Sequence, residues 1–280
     1  MKQAPRAWYT RIDSYFIEHD FQRCPYEPTL YVKSNKEGGI IIVCLYVDDL
    51  IFTSNNPALI SEFREAMISH FEMTDLGLMS YFLGIEVTQT DGGIFISQKK
   101  YAGDILKKFK MESSNPILTP IEERLKLGKD GSGDLVNPTY FKQLVGSLRY
   151  LTSTRPDIVF GVGLISRFME APRQSHLQAA KRILRYIKGT QSDGIFYSCT
   201  NNVELVGYTD SDWAGDIEKR KSTSGYVFHL GTGIFSWSSK KQQVVALSTA
   251  EAEYIAAGST ATQAVWLRRI LSVLQHKQEG

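Results

Sequence analysis

Residues 40–53 read Ile40-Ile41-Ile42-Val43-Cys44-Leu45-Tyr46-Val47-Asp48-Asp49-Leu50-Ile51-Phe52-Thr53. An apolar run rich in β-branched residues is the pattern of a strand buried on both faces, with Cys44 as a small core residue. Asp48 and Asp49 then form a turn and Leu50 to Thr53 return, which predicts a hairpin over residues 40–54. Two carboxylates at a hairpin tip repel by about 4 kcal/mol at roughly 4 Å and an effective dielectric near 20. Solvent, a raised pKa or divalent cations can offset that energy. Two readings are open on these residues alone. One is a solvated turn; the other is a phosphoryl-transfer site, where two ions roughly 3.5–4 Å apart stabilise the attacking and leaving oxygens.

Working outward, Asn56 and Pro57 predict the start of a helix carrying Ile60, Phe63 and Met67 on one face. Residues 81–87 are strand-like, Asp91-Gly92-Gly93 predicts a turn, and Ile94-Phe95-Ile96-Ser97 a return strand. Tyr101, Ile105 and Phe109 mark a short helix. Residues 116–138, rich in Pro, Gly and charge, read as a surface linker. Three helices follow over residues 139–190, with stripes Tyr140-Leu144-Leu148-Leu151, Ile158-Val162-Ile165-Met169 and Leu177-Ala180-Leu184-Ile187. Beyond a boundary near residues 190–202 the period returns to two. One strand leads to Asp210, two more flank Gly231-Thr232-Gly233, and a long helix begins near Ser248 or Thr249. The fold class is therefore α+β.

Apolar residues make up 42% and charged residues 22%, the composition of a globular chain, and a net charge of +2 identifies no partner. Cys24, Cys44 and Cys199 are odd in number and far apart, as reduced intracellular thiols are. The histidines show no zinc spacing. The run of residues 40–47 is too short to span a bilayer, and the N-terminus has no apolar stretch of signal-peptide type. The expectation is a cytoplasmic protein with no membrane partner. Lys181, Arg185 and Lys188 share one helix face, with no acid between Ala171 and Ser192. That stripe suits a phosphate backbone or, equally, a solvated helix face.

These phrases resemble one family, the copia-type LTR retrotransposon Pol polyproteins. Tyr46-Val47-Asp48-Asp49 looks like the Tyr-x-Asp-Asp box of reverse transcriptases. Lys2-Gln3-Ala4-Pro5-Arg6-Ala7-Trp8-Tyr9 is similar to the preceding motif, which lines the pocket for nucleotide and template. Met73-Thr74-Asp75-Leu76-Gly77, Tyr81-Phe82-Leu83-Gly84-Ile85, Gln98-Lys99-Lys100-Tyr101, Thr154-Arg155-Pro156-Asp157 and the phrase of residues 181–190 match in order. The resemblance covers essentially the whole chain. It implies Asp48 and Asp49 as Mg²⁺ ligands of a polymerase, Asp48 making the more direct contact. It makes Leu83 and Gly84 part of a primer grip. Lys2, Gln3, Arg6, Leu83, Gly84, Lys181, Arg185 and Lys188 become contacts to primer–template or RNA–DNA hybrid.

Tyr208-Thr209-Asp210-Ser211-Asp212-Trp213 and Ser248-Thr249-Ala250-Glu251-Ala252-Glu253-Tyr254 resemble the first strand and first helix of that family's RNase H, which also uses two Mg²⁺ ions. By resemblance Asp210 and Glu253 are metal ligands, Glu251 is a first-turn carboxylate favoured by the helix dipole, and Asp212 is peripheral. The implied organisation is a partial reverse-transcriptase palm over residues 1–110, a helical thumb or connector over 111–198 and a truncated RNase H-like domain over 199–280. The family's polymerase uses a further upstream Asp, and its RNase H further acids and a fourth strand beside the one carrying Asp210. The expectation is therefore a fragment inactive alone, with exposed strand edges. It would bind nucleic acid without catalysis, or work only with the missing upstream polymerase segment as partner.

Overall fold

The computed structural model describes residues 4–123, 125–200 and 203–278. Helices and antiparallel sheets alternate in an α+β arrangement of two compact units, Met1–Met79 with Gln263–Gly280, and Ser80–Thr262.

The first unit holds α1 (Ala4–Glu18), β1 (Gln22–Arg23), β2 (Leu30–Ser34), β3 (Ile40–Tyr46), β4 (Asp49–Ser54) and α2 (Pro57–His70). Its sheet has the order β1-β2-β3-β4, antiparallel throughout. Along β3, Ile41, Val43 and Leu45 are buried, while Cys44 and Tyr46 are exposed. This corrects the expectation of a strand covered on both faces. Only one face packs, against Ile12, Phe16, Phe63 and Met67, and Cys44 lies on the other. Burying each of these large side chains stabilises the unit by about 1.5–3 kcal/mol. Asn56 caps α2 as expected, accepting from the Ala58 N–H at 2.9 Å, with Pro57 in the first turn.

The hairpin turn differs by one residue from the expectation. Tyr46 pairs with Asp49, so the central turn residues are Val47 and Asp48, and Val47 is left-handed at φ 55°. A β-branched residue rarely adopts that conformation.

The second unit opens with β5 (Tyr81–Phe82), β6 (Ile85–Thr90) and β7 (Gly93–Ser97). Residues 81–87 are not one strand: Leu83 (φ 48°) and Gly84 (φ 78°) make a tight turn, with Phe82 paired to Ile85. The helices α3 (Lys99–Lys108), α4 (Pro138–Leu151), α5 (Val159–Ile165) and α6 (Gln174–Gly189) form a bundle. Leu144, Leu148, Ile158, Ile165, Ala180, Leu184 and Ile187 are at its centre, each fully buried. The proline-rich segment before α4 wraps this bundle rather than running free, since Leu127 is buried and Ile121, Leu125 and Val136 pack on the core. After α6, β8 (Gly194–Ser198) returns to pair with β7, Phe196 opposite Phe95, completing a sheet of order β5-β6-β7-β8.

The strands β9 (Leu205–Ser211), β10 (Thr223–Leu230) and β11 (Gly233–Lys241) then form a meander of order β11-β10-β9. The helix α7 (Thr249–Val273) follows, its residues from Gln263 onward belonging to the first unit. No helix among the described residues is long and apolar enough to cross a membrane.

Candidate carboxylate sites and nucleic-acid surfaces

Asp48 and Asp49 are both exposed at the β3–β4 tip. The tip is held from α1, where the Trp8 indole N–H donates to the Val47 carbonyl at 2.7 Å. That bond fixes the left-handed residue immediately before the acids. Trp8 also packs edge-on against Phe71, with ring centroids 5.4 Å apart. Sequence reasoning placed this tryptophan in a motif without giving it a task; an aromatic donor in the helix before an acidic hairpin is the clue it passed over. Arg6 is exposed on α1, and Lys2 and Gln3 lie outside the described residues.

Asp210 is exposed on β9, opposite Gly225 on β10. Alternation along the strands sets it on the sheet face of Thr223, Val227 and Trp237. Thr209 and Ser211 point to the other face, where Thr260 of α7 donates to the Thr209 hydroxyl at 2.9 Å. On that face Gln242 ties the start of α7 to the sheet. Its amide lies 3.1 Å from the Ser211 hydroxyl, 2.9 Å from the Ser224 hydroxyl and 2.9 Å from the Ala252 carbonyl. Gln242 is buried, and nothing in its local sequence set it apart from a polar loop residue.

Glu253 is exposed beside Ala252. The fold thus bridges the Ser211 hydroxyl and the Ala252 carbonyl through Gln242, while alternation along β9 sends the Asp210 side chain off the sheet on the face away from α7. No hydrogen bond or ion pair joins Asp210 to Glu253 among the described residues. Glu251 caps the helix: its N–H donates to the Ser248 hydroxyl at 3.1 Å, and its carboxylate accepts from the Leu247 N–H at 2.6 Å. Asp212 accepts from the Gly215 N–H at 3.0 Å. Among the described residues no group of three His, Cys, Asp or Glu side chains is placed to hold a metal. Asp48 with Asp49 supplies hard oxygen donors suited to Mg²⁺, which takes one or two carboxylates and completes its shell with water or phosphate.

The Leu83-Gly84 turn sits on α4. The Tyr150 hydroxyl donates to the Leu83 carbonyl, and a Cβ at Gly84 would overlap that hydroxyl. Tyr101 meets Tyr150 edge-on at 4.7 Å. Of the basic residues on α6, Lys181 is exposed, and Lys188 is half-buried with no ion pair among the described residues. Arg185 donates to the Asn115 carbonyl at 2.8 Å, so it staples the preceding segment rather than standing free. Arg182 does similar work, meeting Glu122 at 3.1 Å.

Thr154-Arg155-Pro156-Asp157 forms a latch. Arg155, buried, donates to Asp157 at 2.7 Å and to the carbonyl and hydroxyl of Thr190, the C-cap of α6, at 2.7 Å each. Burial opposes both charges. The paired guanidinium nevertheless holds the Asp157 carboxyl below the usual carboxylate range, and Asp157 raises the Arg155 pKa in turn. A cation against the last turn of a helix also meets the negative end of its dipole.

Residues 1–123 match the family model described as reverse transcriptase (RNA-dependent DNA polymerase). The retrovirus-related Pol polyprotein from transposon TNT 1-94 of Nicotiana tabacum is 40% identical across 100% of this chain and 22% of its own length. That from transposon RE1 of Arabidopsis thaliana is 39% identical across 98% of the chain and 19% of its length. A putative transposon Ty5-1 protein of Saccharomyces cerevisiae is 33% identical, with 93% of this chain and 85% of that protein covered. The chain spans about a fifth of the two plant polyproteins. No solved structure matches it. On these matches the chain belongs to the copia-type retrotransposon Pol polyprotein family, in its reverse transcriptase and RNase H region.

Proposed function

We propose that the chain carries carboxylate-bearing parts of an RNA-directed DNA polymerase and of an RNase H, acting on primer–template and RNA–DNA hybrid. In this reading residues 1–110 are palm, 111–198 thumb or connector, and 199–280 RNase H-like. The observation that carries it is the β3–β4 tip: two exposed, adjacent carboxylates behind a left-handed residue that Trp8 clamps at 2.7 Å. Asp48 and Asp49 would hold Mg²⁺ there; in the RNase H-like part Asp210 and Glu253 are offered to metal separately, since Asp210 leaves the sheet on the face away from the helix that carries Glu253. Bound metal supplies stabilisation of the attacking and leaving oxygens. The Leu83-Gly84 turn, seated on Tyr150, would support the primer strand.

Neither site offers the carboxylates that a two-ion clamp needs, so polymerase activity is expected only when a fingers–palm polypeptide is added, and hybrid cleavage is expected in neither case. Primer extension and hybrid cleavage in Mg²⁺, with the chain alone and with that polypeptide, test this. Activity from the chain alone would contradict it. A second reading, nucleic-acid binding without catalysis, is favoured by exposed Lys181 on α6. It predicts hybrid binding that survives Asp48→Asn with Asp49→Asn.

A further inference from the structure

The β9–β10 connection contains two residues in a conformation that disfavours any side chain: Ala214 at φ 53° and Arg220 at φ 52°. Neither is glycine, although glycine would adopt both without strain. The turn around Arg220 is held firmly. Asp216 is buried; its N–H donates to the Lys221 carbonyl at 3.1 Å, and its own carbonyl accepts from the Arg220 N–H at 2.9 Å. Its carboxylate accepts from the Lys219 N–H at 3.3 Å and pairs with Lys241 at 3.2 Å. The flank is fixed too, for the buried Ser222 hydroxyl accepts from the Ala214 N–H at 3.0 Å.

This framework presents Lys219 and Arg220, both exposed, neither with an ion pair among the described residues. The acids around them are already engaged: Asp216 by Lys241, Glu218 by the Lys129 N–H, and Asp212 by the Gly215 N–H. Lys219 and Arg220 thus face outward side by side on a hydrogen-bonded, strained turn, with the exposed Glu218 next to them bound to the Lys129 N–H. A non-glycine residue kept in strain at an exposed tip points to a task for its side chain.

We propose that Lys219 and Arg220 form a phosphate-binding turn that grips the backbone of an RNA–DNA hybrid beside Asp210. The inference deepens the nucleic-acid reading above and rests on it. Three features suit the turn to a phosphodiester backbone. The turn lies in the loop that leads from β9, the strand carrying Asp210, into β10. The guanidinium fork matches phosphate oxygens two at a time, and the neighbouring ammonium adds a point charge for the next phosphate.

The test uses the full chain and a labelled RNA–DNA hybrid, with anisotropy measured across a salt series. Lys219→Gln with Arg220→Gln should reduce the slope of log affinity against log salt by about 2, since each phosphate no longer neutralised removes about 0.9. Arg220→Gly should weaken binding with a slope change of about 1 while raising the melting midpoint, because strain is released as the charge is removed. Unchanged slopes in a chain that binds hybrid would overturn the phosphate turn alone. A lower melting midpoint in Arg220→Gly would overturn the strain argument behind it. Equal salt-dependent binding to poly-glutamate would assign the turn to an acidic protein partner instead. If the unaltered chain binds no hybrid at any salt, the nucleic-acid reading falls and the turn with it.

Discussion

Replacing Arg155 by Met removes the latch between the start of α5 and the end of α6 while keeping most of the volume. The Arg155 side chain is 4% exposed and Asp157 34%. Arg155 donates five hydrogen bonds at 2.7–3.2 Å, three to Asp157 and two to Thr190. Breaking a buried ion pair by deleting one partner costs about 3–5 kcal/mol, because the other charge is left uncompensated. Asp157 reaches solvent and is partly rehydrated, and the Thr190 hydroxyl keeps its bond to the Tyr186 carbonyl at 2.9 Å. The expected loss is therefore about 2–4 kcal/mol. Urea unfolding followed by far-UV circular dichroism measures it as a lower midpoint at unchanged slope. Adding Asp157→Asn should return part of the loss, since the stranded charge goes. A loss under about 0.5 kcal/mol, the range of ordinary surface substitutions, would refute the claim that this pair holds the bundle.

The same pair sets a pH dependence. The folded Asp157 pKa lies below its unfolded value, so its stabilisation is present above about pH 3.9 and is lost as pH falls through the folded pKa. Acid titration of stability should show this limb, and Arg155→Met should flatten it. Gly84→Ala should destabilise by about 1–3 kcal/mol in thermal melts, since it combines a positive φ with a clash against Tyr150. Trp8→Phe removes the bond to the Val47 carbonyl and should cost about 1 kcal/mol, with faster hydrogen exchange confined to residues 46–50. Gln242→Ala should loosen the first turns of α7 by about 1–3 kcal/mol, read as lost amide protection over residues 249–256.

The helices of the bundle were legible because their apolar residues recur at helical spacing, and Leu144, Leu148, Leu184 and Ile187 are all fully buried. Asn56-Pro57 was legible for the same local reason. The β3 strand was legible as a strand, but its burial was not. A continuous apolar run does not reveal whether one face or two will be covered, and Cys44 proved to lie on the open side. The pairing of β8 with β7 joins Gly194 to Ser97, a register decided by packing that no local pattern encodes. The Leu83-Gly84 turn was readable from Gly84, but the apolar residues on either side outweighed it. Val47 as a turn residue defies local preference, and only the distant Trp8 explains it. Asp48, Asp49, Asp210 and Glu253 are all exposed. The residues that hold their surroundings, Trp8, Arg155 and Gln242, act through tertiary hydrogen bonds, which spacing does not show.

The most direct test is Mg²⁺-dependent primer extension by the full chain mixed with the fingers–palm segment that precedes the Asp-Asp hairpin in a related Pol polyprotein, with and without Asp48→Asn. The account predicts extension in the mixture, none from either part alone, and none in the mixture carrying the substitution. Extension that persists with Asn at position 48 would contradict it.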